Sequence, residues 1–137
     1  MRDRHVEILS HHGYDTLSNP RGERRVAELL ALLQRSPYVV LWLNGHIHAN
    51  RITPRGSFWE VTTSSIVDWP CQGRLVELYR TAGGLLAIAC TMLDHDGEGL
   101  AGLHRELAGN IPLNGFDSWR SGTPADRNTI LLLPAPD

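Results

Sequence analysis

One run of residues constrains the fold of this chain more than any other. Tyr38 to Leu43, with the sequence YVVLWL, is apolar throughout and has the length of a strand. A strand without polar alternation is typical of a sheet that is covered on both faces. Ahead of it, Glu23 to Ser36 has apolar residues at helical spacing, namely Val26, Leu29, Leu30 and Leu33. The pattern therefore predicts a buried strand preceded by an amphipathic helix that ends before Pro37.

Shorter elements flank this pair. His5 to Ser10 is an extended run, and turn residues predict two hairpins after the apolar strand. In chain order, the later predicted elements are the strands Arg51–Thr53 and Phe58–Thr62, the strands Arg74–Arg80 and Leu85–Met92, a helix at Glu98–Leu107, an irregular stretch at Asn110–Asn128 and a strand at Thr129–Leu133. Strand, helix and strand followed by antiparallel hairpins indicate a mixed α/β (α+β) layered fold.

Length and charge limit the function classes. The 137 residues suit a single domain over residues 1–137. Thirteen cations, all arginine, stand against 15 acidic residues, and the longest basic block is the Arg24-Arg25 pair. Because nucleic-acid backbones require clustered positive charge, the chain has no nucleic-acid-binding signature. Cys71 and Cys90 form no CxxC motif and are expected to be buried thiols.

The apolar stretches are too short for a membrane-spanning segment. The longest of them are well below the roughly 20 residues that a membrane-spanning helix needs, so no membrane span is expected. The first 15 residues, MRDRHVEILSHHGYD, contain no apolar core of a signal peptide. Cytoplasmic location is the default expectation, and export is expected if a longer native chain carries a signal.

The distribution of histidine is the main functional signal. Four of the seven lie in two loops, each after a predicted strand: His11, His12, His46 and His48. In an extended segment, residues two apart point to the same side, about 6–7 Å from each other, so His46 and His48 would present their rings together. Gly45 permits close approach of a ligand. Imidazoles gathered by neighbouring strands predict a metal site, whereas His5, His95 and His104 are expected to be ordinary polar residues.

These loops resemble a known family. His11-His12-Gly13 after a strand, followed further along by Asn44-Gly45-His46-Ile47-His48-Ala49-Asn50, is similar to the last two motif blocks of the calcineurin-like metallophosphoesterases. The segment Phe58 to Leu78 also resembles the hairpin region after this block in bacterial members. The likeness covers residues 5–80 well and the remainder loosely.

The resemblance implies a fold, a cofactor and a reaction. The family fold is a β-sandwich with flanking helices, and its binuclear centre of Fe, Mn, Zn or Ni activates a bridging water for attack on a phosphoester. The implied substrate is a phosphomonoester or a phosphodiester. Carried over, His11 and His46 would bind one metal and His48 the other. His12 would be an alternate ligand or touch substrate, and Gly45 and Asn50 would lie at the site edge.

Two carboxylate-bearing motif blocks of the family are missing. Neither Gly-Asp-x-x-Asp nor Gly-Asn-His-Asp/Glu occurs in the sequence. We therefore expect the chain to be the C-terminal part of a longer hydrolase, inactive alone. Part of the first sheet would then be missing, which predicts an exposed strand edge or apolar face that binds the missing N-terminal half or a second copy.

The missing acids also limit the number of ions. Two dications 4 Å apart repel each other by roughly 16 kcal/mol at an effective dielectric of 20, and neutral imidazoles do not offset this repulsion. At most one weakly bound ion and little turnover are expected. The alternatives are a noncatalytic metal-binding or interaction module with a degenerate half-site, and a plain structural domain.

Overall fold

A computed structural model describes residues 5–14, 20–110 and 118–136, apart from the side chains of residues 20–25 and 118. Within these ranges the chain forms two sheets and two α-helices. The elements are β1 (Val6–Leu9), α1 (Pro20–Gln34), β2 (Val39–Asn44), β3 (Arg51–Pro54), β4 (Trp59–Thr62), β5 (Gly73–Arg80), β6 (Leu85–Leu93), α2 (Gly99–Ala108) and β7 (Thr129–Pro134). The predicted mixed α/β class and the order of its elements are confirmed.

The first sheet is mixed and has the strand order β1-β2-β4-β3. β1, β2 and β4 run parallel, while β3 pairs antiparallel with β4. β2 is the apolar run of the sequence and is buried along almost its whole length. The prediction that this strand is covered on both faces is confirmed.

The second sheet is an antiparallel meander in the order β5-β6-β7. Its inner face shares one core with the first sheet, in which Leu41, Val61 and Ile88 have no exposed surface. Burying a side chain of this size contributes about 1.5–3 kcal/mol. The Trp59 indole N–H also donates to the carbonyl of Leu132 across the two sheets, at 3.3 Å. The two sheets therefore pack face to face.

Helix α1 covers the opposite face of the first sheet. Leu33 of the helix packs with Val39, Trp42 and Phe58. Proline is well suited to the first position of a helix, which explains the start at Pro20, and Pro37 disfavours helical backbone just before it. The sequence Asn19-Pro20-Arg21-Gly22 is typical of a turn; Asn19 lies outside the described residues, and the other three residues begin the helix.

Some apolar surface has no cover among the described residues. Ile130 and Leu132 alternate with the buried Leu131 and Leu133 along β7 and are 63% and 51% exposed. Leu9 on β1 is 82% exposed although its register partner Leu43 packs against the core. An exposed apolar face is thus present, while self-association stays a prediction.

The stretch after α2 is partly irregular, as predicted, with two short 3₁₀ turns at Ser118–Ser121 and Pro124–Asp126. The Asp126 carboxylate accepts the Ile52 backbone N–H at 2.8 Å, so this segment lies against β3. Asp117 of the irregular stretch lies outside the described residues. Both cysteines are buried free thiols, as expected. Over the described ranges, none of the helices has the length and apolarity to traverse a bilayer.

Candidate metal centre

The histidines follow the carboxyl ends of two adjacent parallel strands. His11 and His12 come just after β1, and His46 and His48 come just after β2. Parallel strands end at the same edge of a sheet, which is where ligands bind in open α/β sheets. Pairing of β1 with β2 therefore brings the two loops together in space, although they lie far apart in the sequence.

Hydrogen bonds hold the two loops together. The Ser10 N–H donates to the Leu43 carbonyl at 3.0 Å, and the Gly45 N–H donates to the His11 carbonyl at 3.2 Å. The Trp42 indole N–H donates to the Ser10 hydroxyl at 2.8 Å, and this hydroxyl donates to the His12 carbonyl at 2.7 Å. The backbone around His11 and His12 is thereby fixed relative to β2.

Gly13 is required by a close approach of these loops. A Cβ atom at this position would lie 2.5 Å from side-chain atoms of Asn44. That distance is too short for any carbon contact, so only glycine allows the first loop to cross the end of β2 here.

Three histidine rings converge at this edge. One ligand nitrogen from each of His11, His12 and His46 lies within 4.8 Å of the others, and all three side chains are exposed. Nδ1 of His46 and Nε2 of His11 are 2.9 Å apart, so one of these nitrogens donates a hydrogen bond to the other. The ring centroids are separated by 4.9 Å (His11–His12), 4.8 Å (His11–His46) and 4.1 Å (His12–His46).

This spacing suits a single ion. Zinc–nitrogen bonds of about 2.0–2.1 Å at tetrahedral angles place ligand nitrogens roughly 3.3 Å apart. The exposed rings would have to rotate to bring nitrogens as far as 4.8 Å apart to this spacing. Metal ligation also requires neutral imidazole. Partial desolvation, followed by repulsion from His12 and His11, lowers the pKa of His46 and favours this neutral form.

His48 lies apart from the tri-histidine group, as we call His11, His12 and His46. Its Nδ1 is 2.9 Å from Oδ2 of Asp68, which also accepts a hydrogen bond from Arg120 at 2.9 Å. The hydrogen bond with His48 is the main reason that the pKa of Asp68 is lowered. Assignment of His48 as a metal ligand stays a prediction.

The backbone explains why His46 and His48 separate. Their φ angles are +64° and +52°, so both residues are left-handed and the segment is not extended. The expectation of an extended segment at these two histidines is therefore wrong. A left-handed non-glycine residue costs roughly 1–2 kcal/mol, and such backbone clusters at functional sites.

The two predicted edge residues have different surroundings. Gly45 is half-buried and joins the histidine loops through its N–H. Asn50 is buried at 2% exposure, where its side chain bonds Gln72, Arg74 and the backbone of Ser64. His5 pairs with Glu7, and His95 accepts a hydrogen bond from the Gly97 N–H. Within the described chain, His5, His95 and His104 do not belong to a metal-ligand group.

Comparison with known proteins finds no relative. No protein-family model, no curated protein and no solved structure matches this chain.

Two acidic residues of this region were missed by sequence reasoning. Glu60 is a buried carboxylate in β4, and Asp68 pairs with His48. A signal for Glu60 was present, because FWEVT places one charged residue inside an apolar strand. Asp68 has no comparable signal, since it reaches His48 through a loop whose course depends on the fold.

Proposed function

We propose that this chain binds one divalent transition-metal ion through His11, His12 and His46. The observation that carries the proposal is the convergence of three imidazole nitrogens within 4.8 Å at the carboxyl ends of β1 and β2. Imidazole suits Zn, Fe and Ni. With Mn, these are also the metals that the family resemblance implies.

A single ion is favoured by charge. The tri-histidine group contains no carboxylate within the described part of the chain. A second dication 4 Å away would add roughly 16 kcal/mol of repulsion at an effective dielectric of 20, and an anionic bridge would be needed to offset it. Asp68, the carboxylate bonded to His48, already has Arg120 as a cationic partner.

We further propose that this site is the histidine-bearing half of a phosphoester hydrolase. The support is the order of His11-His12-Gly13 and Gly45-His46-Ile47-His48 on adjacent parallel strands, as in the calcineurin-like family that these residues resemble. A bound metal would supply Lewis-acid polarisation of a phosphoryl oxygen. The chain itself would hold the ion and leave its exposed side open to a phosphomonoester or phosphodiester. Carboxylates from an N-terminal segment or another chain would complete the centre.

One observation favours a second function. Among the described residues, the three exposed histidines are joined by no carboxylate that could bridge a second ion, which suits a noncatalytic metal-binding module. Such a module would hold its ion without admitting phosphate to it.

A cobalt titration tests the metal proposal. Visible absorption should show one Co²⁺ ion per chain, and His46→Ala should abolish the signal because it removes one of three ligands. His104→Ala is the matched control, since His104 is exposed on α2 and lies outside the group. Failure of the wild-type chain to bind, or equal binding by His46→Ala, would contradict the proposal.

Inorganic phosphate separates the two functions. In the hydrolase half-site, phosphate should change the spectrum of bound Co²⁺ because it reaches the metal, while turnover of p-nitrophenyl phosphate stays near background. An unchanged spectrum at saturating phosphate would instead support the noncatalytic module.

A further inference from the structure

A buried carboxylate lies beneath the two histidine loops. Glu60 on β4 is 3% exposed and is in register with Trp42 of β2. Burying a carboxylate is costly unless it is paired and fully hydrogen-bonded. The partners that satisfy Glu60 therefore indicate what it does.

One oxygen of Glu60 connects both loops. Oε1 accepts a hydrogen bond from the Asn44 side-chain amide at 2.8 Å and another from the Tyr14 backbone N–H at 2.8 Å. Asn44 is two residues before His46, and Tyr14 is two residues after His12. A single atom thus ties together the two chain segments that carry the tri-histidine group.

The other oxygen is fixed by a cation. Oε2 accepts from Nε of Arg55 at 2.7 Å and contacts a terminal guanidinium nitrogen of Arg55 at 2.6 Å. The guanidinium carbon of Arg55 lies 4.2 Å from the centre of the Tyr14 ring. The charge of Glu60 is therefore compensated and its carboxylate plane is held.

The amide between Glu60 and the second loop has little freedom. Asn44 Oδ1 accepts the Thr62 hydroxyl at 2.8 Å, while Gly13 crosses so close that a Cβ there would lie 2.5 Å from the amide. A change in the Glu60 carboxylate is therefore expected to shift Asn44 and Tyr14, which bond it directly.

We propose that Glu60 is a positioning residue for the tri-histidine metal site. It sets the relative position of the loop with His11 and His12 and the loop with His46, without touching the metal. This inference rests on the proposed metal-binding function. Groups that orient metal ligands typically alter affinity by 10–100-fold when they are removed.

Glu60→Gln is the direct test. The variant keeps the side-chain shape but replaces one acceptor oxygen with an NH₂ group, whereas the Tyr14, Asn44 and Arg55 groups that bond this side chain are all donors. Co²⁺ affinity should fall about 10–100-fold, and the visible spectrum of bound Co²⁺ should change. Ile88→Val is the matched control, because it weakens the core between the sheets and should leave affinity and spectrum unchanged. Wild-type affinity and spectrum in Glu60→Gln would overturn the proposal.

A second variant covers the case in which Glu60→Gln does not fold. Glu60→Asp keeps the charge for Arg55 but is one methylene shorter, so it cannot hold Arg55 and both loops at once. Its Co²⁺ affinity should lie between that of wild type and a loss of about 100-fold, and wild-type affinity would overturn the proposal.

A metal-free measurement distinguishes failure of this inference from failure of the proposed function. Absence of Co²⁺ binding by the wild-type chain would refute the function alone. In the metal-free protein, ¹H–¹⁵N spectra of the imidazole nitrogens should show loss of the His46–His11 pairing in Glu60→Gln or Glu60→Asp. Unchanged ring signals in the folded variants would refute the positioning role.

Discussion

The two sheets differ in what they bury. In the described chain, the strands of the first sheet bury Asn44, Glu60 and Thr62, whereas the buried residues of the second sheet, which lie in β6 and β7, are all apolar. Buried polar groups are costly unless satisfied, and a satisfied network fixes a unique geometry. The comparison indicates that the first sheet positions the tri-histidine group, while the second sheet supplies the apolar surface against which it packs.

The largest expected effect is on stability, and it comes from a substitution in the second sheet. Ile88→Ala in β6 should lower the free energy of unfolding by about 2–5 kcal/mol, because it leaves a cavity at a fully buried site. Urea denaturation measures this loss. Cobalt affinity of the folded variant should equal that of wild type, and a parallel loss of affinity would show that the two sheets do not divide their roles.

Gly13→Ala tests the opposite region. The added methyl group would lie 2.5 Å from the Asn44 side chain, so the first loop must move. Overpacking of this kind costs about 1–3 kcal/mol. Isothermal titration with Co²⁺ should show a larger proportional loss of affinity than Ile88→Ala does, and the reverse order would contradict the assignment of the loops.

The pH dependence provides a third comparison. The pKa of His46 is lowered in the folded protein, first by desolvation and then by neighbouring histidines. The unfolded state therefore binds the proton first as pH falls. The contribution of His46 to the free energy of unfolding is therefore complete above pH 6.5, the ordinary pKa of histidine. It is lost as the pH falls through the lowered pKa of the folded state. Urea midpoints at several pH values should show this loss in wild type and in Ile88→Ala, and a smaller loss in His46→Ala.

The smallest effect is expected on the outer face of the second sheet. Ile130 is 63% exposed, and exposed substitutions usually change stability by within about 0.5 kcal/mol. Ile130→Ser should therefore leave the thermal midpoint and Co²⁺ affinity nearly unchanged. A large drop in the midpoint that depends on protein concentration would instead show that this face is covered by a second copy in solution.

Local patterns account for most of the fold. The continuous apolar run predicts the buried β2, and Gly83-Gly84 predicts the turn between β5 and β6. The convergence of His11 with His46 follows from parallel pairing of the strands ahead of them. The direction of the His48 side chain was not predictable in this way. It depends on left-handed φ angles at His46 and His48, and the sequence does not announce these as a glycine would.

The Glu60 network shows a second limit. Its carboxylate bonds the backbone of Tyr14, 46 residues earlier in the chain. Sequence patterns describe neighbours within one helix or strand, whereas this contact exists only after β1, β2 and β4 have paired. The histidines of the two loops were thus identifiable, and the charge inside FWEVT marked Glu60 as unusual, but its hydrogen-bond partners in the loops were not predictable.

The exposure of the three converging rings has a practical consequence. Clustered surface imidazoles are what chelating resins capture in engineered polyhistidine tails, and here a native surface presents them on adjacent strands. Untagged protein should bind to an immobilised-nickel column and elute with imidazole, so its purification would itself display the chemistry of the site.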